Sequence, residues 1–199
     1  MANEQPREND IALVVIDAVS PDIDENGDIA LSNIQKLVRS GIADTVYEFF
    51  TYEPTLGIED PAIKRQKVED AGGNYRLEAI PDNIILAGGS LGNRHKRAFD
   101  SILAQAREAG KPINIIVPLD CTYSFEPRYD SGESWTDGDT GRLDMEVLGM
   151  YHQAIARAAS ASYITMIDGN VSSQSGTTTF QLWSTAAKMH ENLAAALKR

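Results

Sequence analysis

Residues 83–103 read NIILAGGSLGNRHKRAFDSIL: an apolar run, a cluster of glycines, and a basic-headed segment with helical spacing. Asn83 to Ala87 suits a buried central strand, and Gly88, Gly89 and Gly92 let the chain turn sharply enough to open a helix near Asn93. In an α/β protein such a turn faces a ligand. The N–H groups at a helix start have no intrahelical partners and carry the positive end of the dipole, so an oxyanion is favoured there. The expected ligand-binding residues are Gly88, Gly89, Gly92, Asn93, Arg94 and His95 of this turn, together with Asp120 at the carboxyl end of a later strand.

On either side, further apolar runs alternate with helix-like segments. The runs IALVVID, TVYEFFTYE, INIIVPLD and SYITMID are separated by segments around Ile34, Phe99 and Ile155 that have helical spacing. This alternation predicts parallel βαβ units, because strands buried on both faces read as continuous apolar runs. The expectation is an α/β fold: a three-layer sandwich around a mostly parallel, Rossmann-like sheet, with all the strands' carboxyl ends opening on one edge. Residues 1–10 read as a polar, flexible lead-in, and 11–199 as a single domain.

Between Pro54 and Pro81 the pattern predicts a short helix through Ile63, Lys67 and Val68 and a short strand at Tyr75 to Ile80. The loop at 122–142 is long enough to be a lid, an interface arm or a disordered segment. The spacing of Phe180, Trp183, Ala187, His190, Leu193 and Leu197 predicts a helix from Thr178 to Leu197, and Leu148, His152 and Ile155 align on a helix before the last strand. Both histidines then lie on apolar stripes, where packing is the simpler role. The stripe that includes Trp183 would also suit a subunit contact, and so a homo-oligomer.

The 199-residue chain is 42% hydrophobic and 24% charged, the composition of a soluble globule with a substantial core. It contains no apolar run long enough for a membrane span and no signal-type segment, so the default location is cytoplasmic. One cysteine and three scattered histidines provide neither a disulfide nor a zinc-type cluster, and no metal or other cofactor is expected. A net charge of -11 repels a phosphate backbone, which argues against nucleic acid and leaves a small molecule as the expected ligand.

The carboxyl ends of the predicted strands collect Asp17, Glu53, the glycine turn, Asp120 with Cys121, and Asp168. Asp17 ends a strongly apolar strand, where an unpaired charge is costly. It suits a catalytic role, or a structural one such as capping a loop or pairing with Arg94. Gly88-Gly89-Ser90-Leu91-Gly92 satisfies the G-x-S-x-G pattern of a nucleophile elbow and makes Ser90 a candidate nucleophile, although His152 and His190 are poorly placed to complete a triad. Cys121 is a second candidate if a cation lowers its pKa. Asp22 to Ile29 resembles the start of an EF-hand loop, but Asn33 at the twelfth position lacks the bidentate carboxylate, so a solvated turn leading into a helix near Ser32 is expected.

The run IALVVIDAVSPDI (11–23) with the helix NIQKLV (33–38), the stretch NIILAGGSLGNRHKRAFDSILAQAREAGKPINIIVPLD (83–120), and LGMYHQAIARAASASYITMID (148–168) together resemble isochorismatase-like hydrolases. The resemblance implies that family's α/β topology, with Asp17 matching its proton-accepting aspartate. Where the family carries its nucleophilic cysteine, this sequence has Asn93, Arg94 and His95. The resemblance thus implies either hydrolysis of an amide or ester with the nucleophile moved to Ser90 or Cys121, or a scaffold that binds or assembles without cleaving.

Overall fold

Six parallel strands form the body of one twisted sheet, and a β-hairpin extends it at one edge. The computed structural model describes residues 10–18, 25–69, 74–91, 94–124, 162–167, 170–175, 178–183 and 185–197. The main strands are β1 (Ile11–Ile16), β2 (Thr45–Phe50), β3 (Lys64–Lys67), β4 (Asn83–Gly88) and β6 (Asn114–Pro118), followed by β8 (Ser162–Ile167), β9 (Asn170–Ser175) and β10 (Thr178–Trp183). Their order is β3-β2-β1-β4-β6-β10-β9-β8, parallel as far as β10 and antiparallel through β9 and β8. Two-residue strands β5 (Ser90–Leu91) and β7 (Tyr123–Ser124) pair separately.

Helices cover both faces, as the buried strands require. Alternate residues of β1 point to opposite sides: Ala12, Val14 and Ile16 into one core, Leu13 and Val15 into the other. Helix α2 (Arg94–Glu108) fills the first core with Ala98, Phe99 and Ile102, and the Phe99 and Phe180 rings meet edge to face at 5.1 Å. Helices α1 (Glu25–Ser40) and α3 (Ala186–Leu197) close the second core through Ile34, Leu37 and Met189. The expected α/β sandwich with a mostly parallel sheet is the observed fold.

Four local expectations are corrected. Thr178–Trp183 is a strand, not the start of a helix: Phe180 enters the α2-side core and Trp183 the opposite one, whereas a helix would put both on one side. The helix starts only at Ala186, where Thr185 Oγ1 accepts from Lys188 N at 3.3 Å as an N-cap. Lys64–Lys67 is the edge strand β3 rather than a helix. It pairs with β2, and its exposed charges discourage a further strand from adding. Tyr75 to Ile80 forms no strand despite its alternation, because Gln105 of α2 takes its backbone: Leu77 N donates to Gln105 Oε1 at 3.0 Å, and Gln105 Nε2 donates to Tyr75 O at 2.8 Å. Lastly, α1 begins at Glu25, well before Ser32, since Ala30, Ile34 and Leu37 continue one buried stripe, and residues 25–29 are therefore helical rather than an open loop. The helix expected around Ile155, most of the 122–142 loop and the lead-in before Asp10 lie outside the described residues.

The tightest backbone approach is at Gly88, the last residue of β4. Its φ is +73°, and a Cβ there would stand 2.3 Å from Ile16 O. Gly41, at φ +66°, has nothing within 4 Å of the same position. Gly41→Ala should therefore cost only the left-handed backbone penalty, about 1 kcal/mol. Gly88→Ala should cost that plus a backbone displacement, about 3 kcal/mol or more. Urea denaturation of the two variants side by side measures the difference, and equal midpoints would contradict this packing.

Candidate functional site at the carboxyl ends of β1 and β4

The chain leaves β1 through α1 on one face to reach β2, and leaves β4 through α2 on the other face to reach β6. Strands β1 and β4 are neighbours, with Ile16 opposite Gly88. The two connections diverge at this boundary, the topological switch point where open α/β sheets leave a crevice for a ligand. Asp17 follows β1 there, Gly88 and Gly89 end β4, and Arg94 opens α2.

Asp17 is 4% exposed and has a left-handed φ of 37°. Aspartate is one of the few residue types that tolerate this region, at a cost of order 1–3 kcal/mol. Its backbone N donates to Phe49 O at 2.8 Å, which ties the strained residue to the end of β2. Thr51 holds both carboxylate oxygens: its N donates to Oδ1 at 2.8 Å and its Oγ1 to Oδ2 at 2.9 Å. Arg94 Nη1 adds a 2.9 Å ion pair to Oδ2. The pairing of Asp17 with Arg94 raised by the sequence is therefore formed.

Thr51 was not among the expected site residues. The signal lies in where β2 stops: the pattern of TVYEFFTYE runs on to Glu53, but the strand ends at Phe50. Thr51, buried at 6% exposure, thus takes the place at the strand's carboxyl end, and Glu53 is exposed.

The other expected residues divide between this crevice and a separate cluster. Gly89 (φ +67°) packs against the start of α2, where a Cβ would meet His95 N at 3.1 Å and Ile16 Cγ2 at 3.2 Å. His95 is wholly buried beneath the turn, and its Nε2 lies 3.3 Å from Leu86 O. A carbonyl only accepts, so Nε2 carries the proton of a neutral imidazole. Burial drives the His95 pKa down to about 3, against a smaller upward effect of the Leu86 hydrogen bond. Ser90 lies in β5, paired with Tyr123 of β7, so the chain after β4 is tied to the chain after β6. Gly92 and Asn93 lie outside the described residues, as does Asp168.

Asp120 and Cys121 belong to a 3-10 turn (Leu119–Cys121) after β6. Asp120 Oδ1 accepts from Ala186 N at 2.7 Å, anchoring the start of α3, and Asn33 Nδ2 of α1 donates to Asp120 O at 3.0 Å. Burial pushes the Asp120 carboxyl up, while the Ala186 N–H works in the opposite direction. Cys121 is buried among the α1- and α3-side core residues. Burial first, then the charge of Asp120 and its hydrogen bond, raise its thiol well above the usual range. These surroundings stabilise a protonated thiol, the reverse of what an attacking thiolate needs. Among the described residues no group of three His, Cys, Asp or Glu side chains could hold a metal ion, and no helix is long and apolar enough to cross a membrane.

The fold defines an α/β protein with a topological switch point between β1 and β4. No family model and no curated protein matches the chain. Among solved structures, the chain is similar to an isochorismatase-like hydrolase from Alkaliphilus metalliredigens, at 15% identity over 74% of this chain and 82% of that one, with a TM-score of 0.39.

His95 gives the fold a pH signature. Its pKa falls from 6.5 unfolded to about 3 folded, so between those values the unfolded chain binds more protons than the native one. The stability contributed by neutral His95 is complete above pH 6.5 and is lost as pH falls toward 3, with a limiting slope of about 1.4 kcal/mol per pH unit. Denaturation midpoints from pH 7 to pH 4.5 should therefore fall more steeply in the wild type than in His95→Gln. Parallel curves would contradict a buried neutral imidazole.

Proposed function

We propose that the chain is an isochorismatase-like protein that binds a small molecule between the ends of β1 and β4, with Arg94 recognising a carboxylate or phosphate on the ligand. The observation that carries this reading is the Asp17–Arg94 ion pair at the switch point. Asp17 is itself fixed by Thr51, so the guanidinium is aimed before a ligand arrives and little of its side-chain freedom remains to be lost on binding. Arg94 keeps 21% of its side-chain surface and lies in the first turn of α2, where the helix dipole also favours an anion. The glycine turn lets the start of α2 pack against the end of β1, which brings Arg94 to the same place. Nothing in this reading calls on nucleic acid or a membrane.

Binding without cleavage is preferred because Asp17 is held by three hydrogen bonds from Thr51 and Arg94, and the environment of Cys121 favours a protonated thiol. Hydrolysis of an amide or ester is a second reading, favoured by the left-handed backbone of Asp17, since strain of this kind gathers at active sites. In that version Asp17 accepts the proton from the Ser90 hydroxyl as it attacks, and N–H groups of the turn face the oxyanion.

Titration calorimetry with inorganic phosphate and a series of small carboxylates tests the first reading. At least one should bind, and Arg94→Met should weaken it by about tenfold or more, the loss of one charge-assisted pair. Equal affinity for wild type and variant would remove Arg94 from the site. A fluorophosphonate probe separates the second reading: labelling that disappears in both Ser90→Ala and Asp17→Asn indicates a serine hydrolase, and no labelling leaves binding alone.

A further inference from the structure

Away from the switch point, a cleft of about 490 Å³ opens beside β2 and β3, lined by residues that include Glu48, Ile58, Glu59, Asp60 and Arg65. Its volume falls within the range of small-ligand sites. Glu48 is fully buried in the middle of β2. Its Oε1 accepts from Thr55 N at 2.9 Å and Leu56 N at 2.8 Å, and its Oε2 accepts from Arg65 Nε at 2.9 Å. Arg65 Nη1 donates to Asp60 O at 3.1 Å and Nη2 donates to Ile58 O. A guanidinium has five N–H groups, so one on each Nη has no partner among the described residues. The group is held at three points beside an open cleft, with donors to spare and 29% of its side-chain surface exposed.

The surrounding charges select what those donors can hold. Glu48 already offsets Arg65, and two exposed carboxylates, Glu59 and Asp60, are among the lining residues. A bare anion on Arg65 would meet their repulsion, and a bare cation would leave the Arg65 donors unused. A molecule with a carboxylate for Arg65 and a neighbouring ammonium for Glu59 or Asp60 satisfies both. Pro54, Pro61 and the half-buried Ile58 add apolar wall for a short hydrocarbon side chain. We propose that this cleft is a second ligand site, specific for a small zwitterion of the α-amino-acid type. It is independent of the reading given for Asp17 and Arg94.

Leucine is a suitable probe, with leucinamide lacking the carboxylate and N-acetylleucine lacking the ammonium. In amide-resolved NMR titrations of the full chain, leucine should shift Gly57, Ile58 and Glu59, while either derivative should bind about tenfold more weakly or worse. Glu59→Gln combined with Asp60→Asn, both at exposed positions, should weaken leucine several-fold. Arg65→Lys, which keeps a cation opposite Glu48 but removes the fork, should abolish binding. Arg94→Met should leave leucine binding unchanged, which separates this site from the one at the switch point. The proposal is overturned if leucine causes no shifts, if its shifts lie around Gly88 and Gly89 instead, or if leucinamide binds as well as leucine.

Discussion

Gly88 meets Ile16 backbone to backbone, and most of the site depends on that approach. The carbonyl of Ile16 occupies the space where any other residue would carry its Cβ, so the ends of β1 and β4 lie closer together than two side-chain-bearing residues would allow. The next residue, Gly89, also with positive φ, lets the start of α2 settle against Ile16 and brings Arg94 within hydrogen-bond reach of Asp17. His95 fills the space beneath. Because burial keeps its ring neutral, it can pack in the core and still bond to Leu86 O without a counter-charge. One backbone contact thus sets the distance between two elements, and the ion pair at their tips follows from that distance.

How much of this was legible in the sequence differs by level. Parallel strands buried on both faces must be apolar throughout, so IALVVI and NIILAG identify themselves, and the turn after the second is visible in its glycines. Asp17 was legible for the same reason, as the first charge after an apolar strand. The C-terminal segment was not, because Phe180 and Trp183 are three residues apart and fit a helical stripe as well as two faces of a strand. What decides between them is the open edge of β6, which accepts β10, and that is a tertiary fact. Thr51 was missed because a β-branched residue continues a strand pattern smoothly. Only the chain's turn toward Asp17 shows where β2 ends. Glu48 was illegible in a stricter sense: a carboxylate in mid-strand reads as solvent-facing until Arg65, seventeen residues later, is brought opposite it.

Two fixed carboxylates, Asp17 just after β1 and Glu48 within the neighbouring β2, therefore each have an arginine and two further donors from the segment after β2. Buried ion pairs of this kind add little net stability, since removing both charges from water offsets most of their attraction. Their effect here is geometric. Asp17 holds Thr51 at the start of the β2–β3 connection, Glu48 holds Thr55 and Leu56 a turn further on, and Arg65 draws in the carbonyls of Ile58 and Asp60. A connection that would otherwise be a long surface loop is thereby fixed at both ends and in its middle. Its first residue orients the Asp17 carboxylate, and its later residues wall the cleft beside Arg65. One connection thus serves both places, and two separate buried carboxylates, Asp17 and Glu48, hold its separate parts.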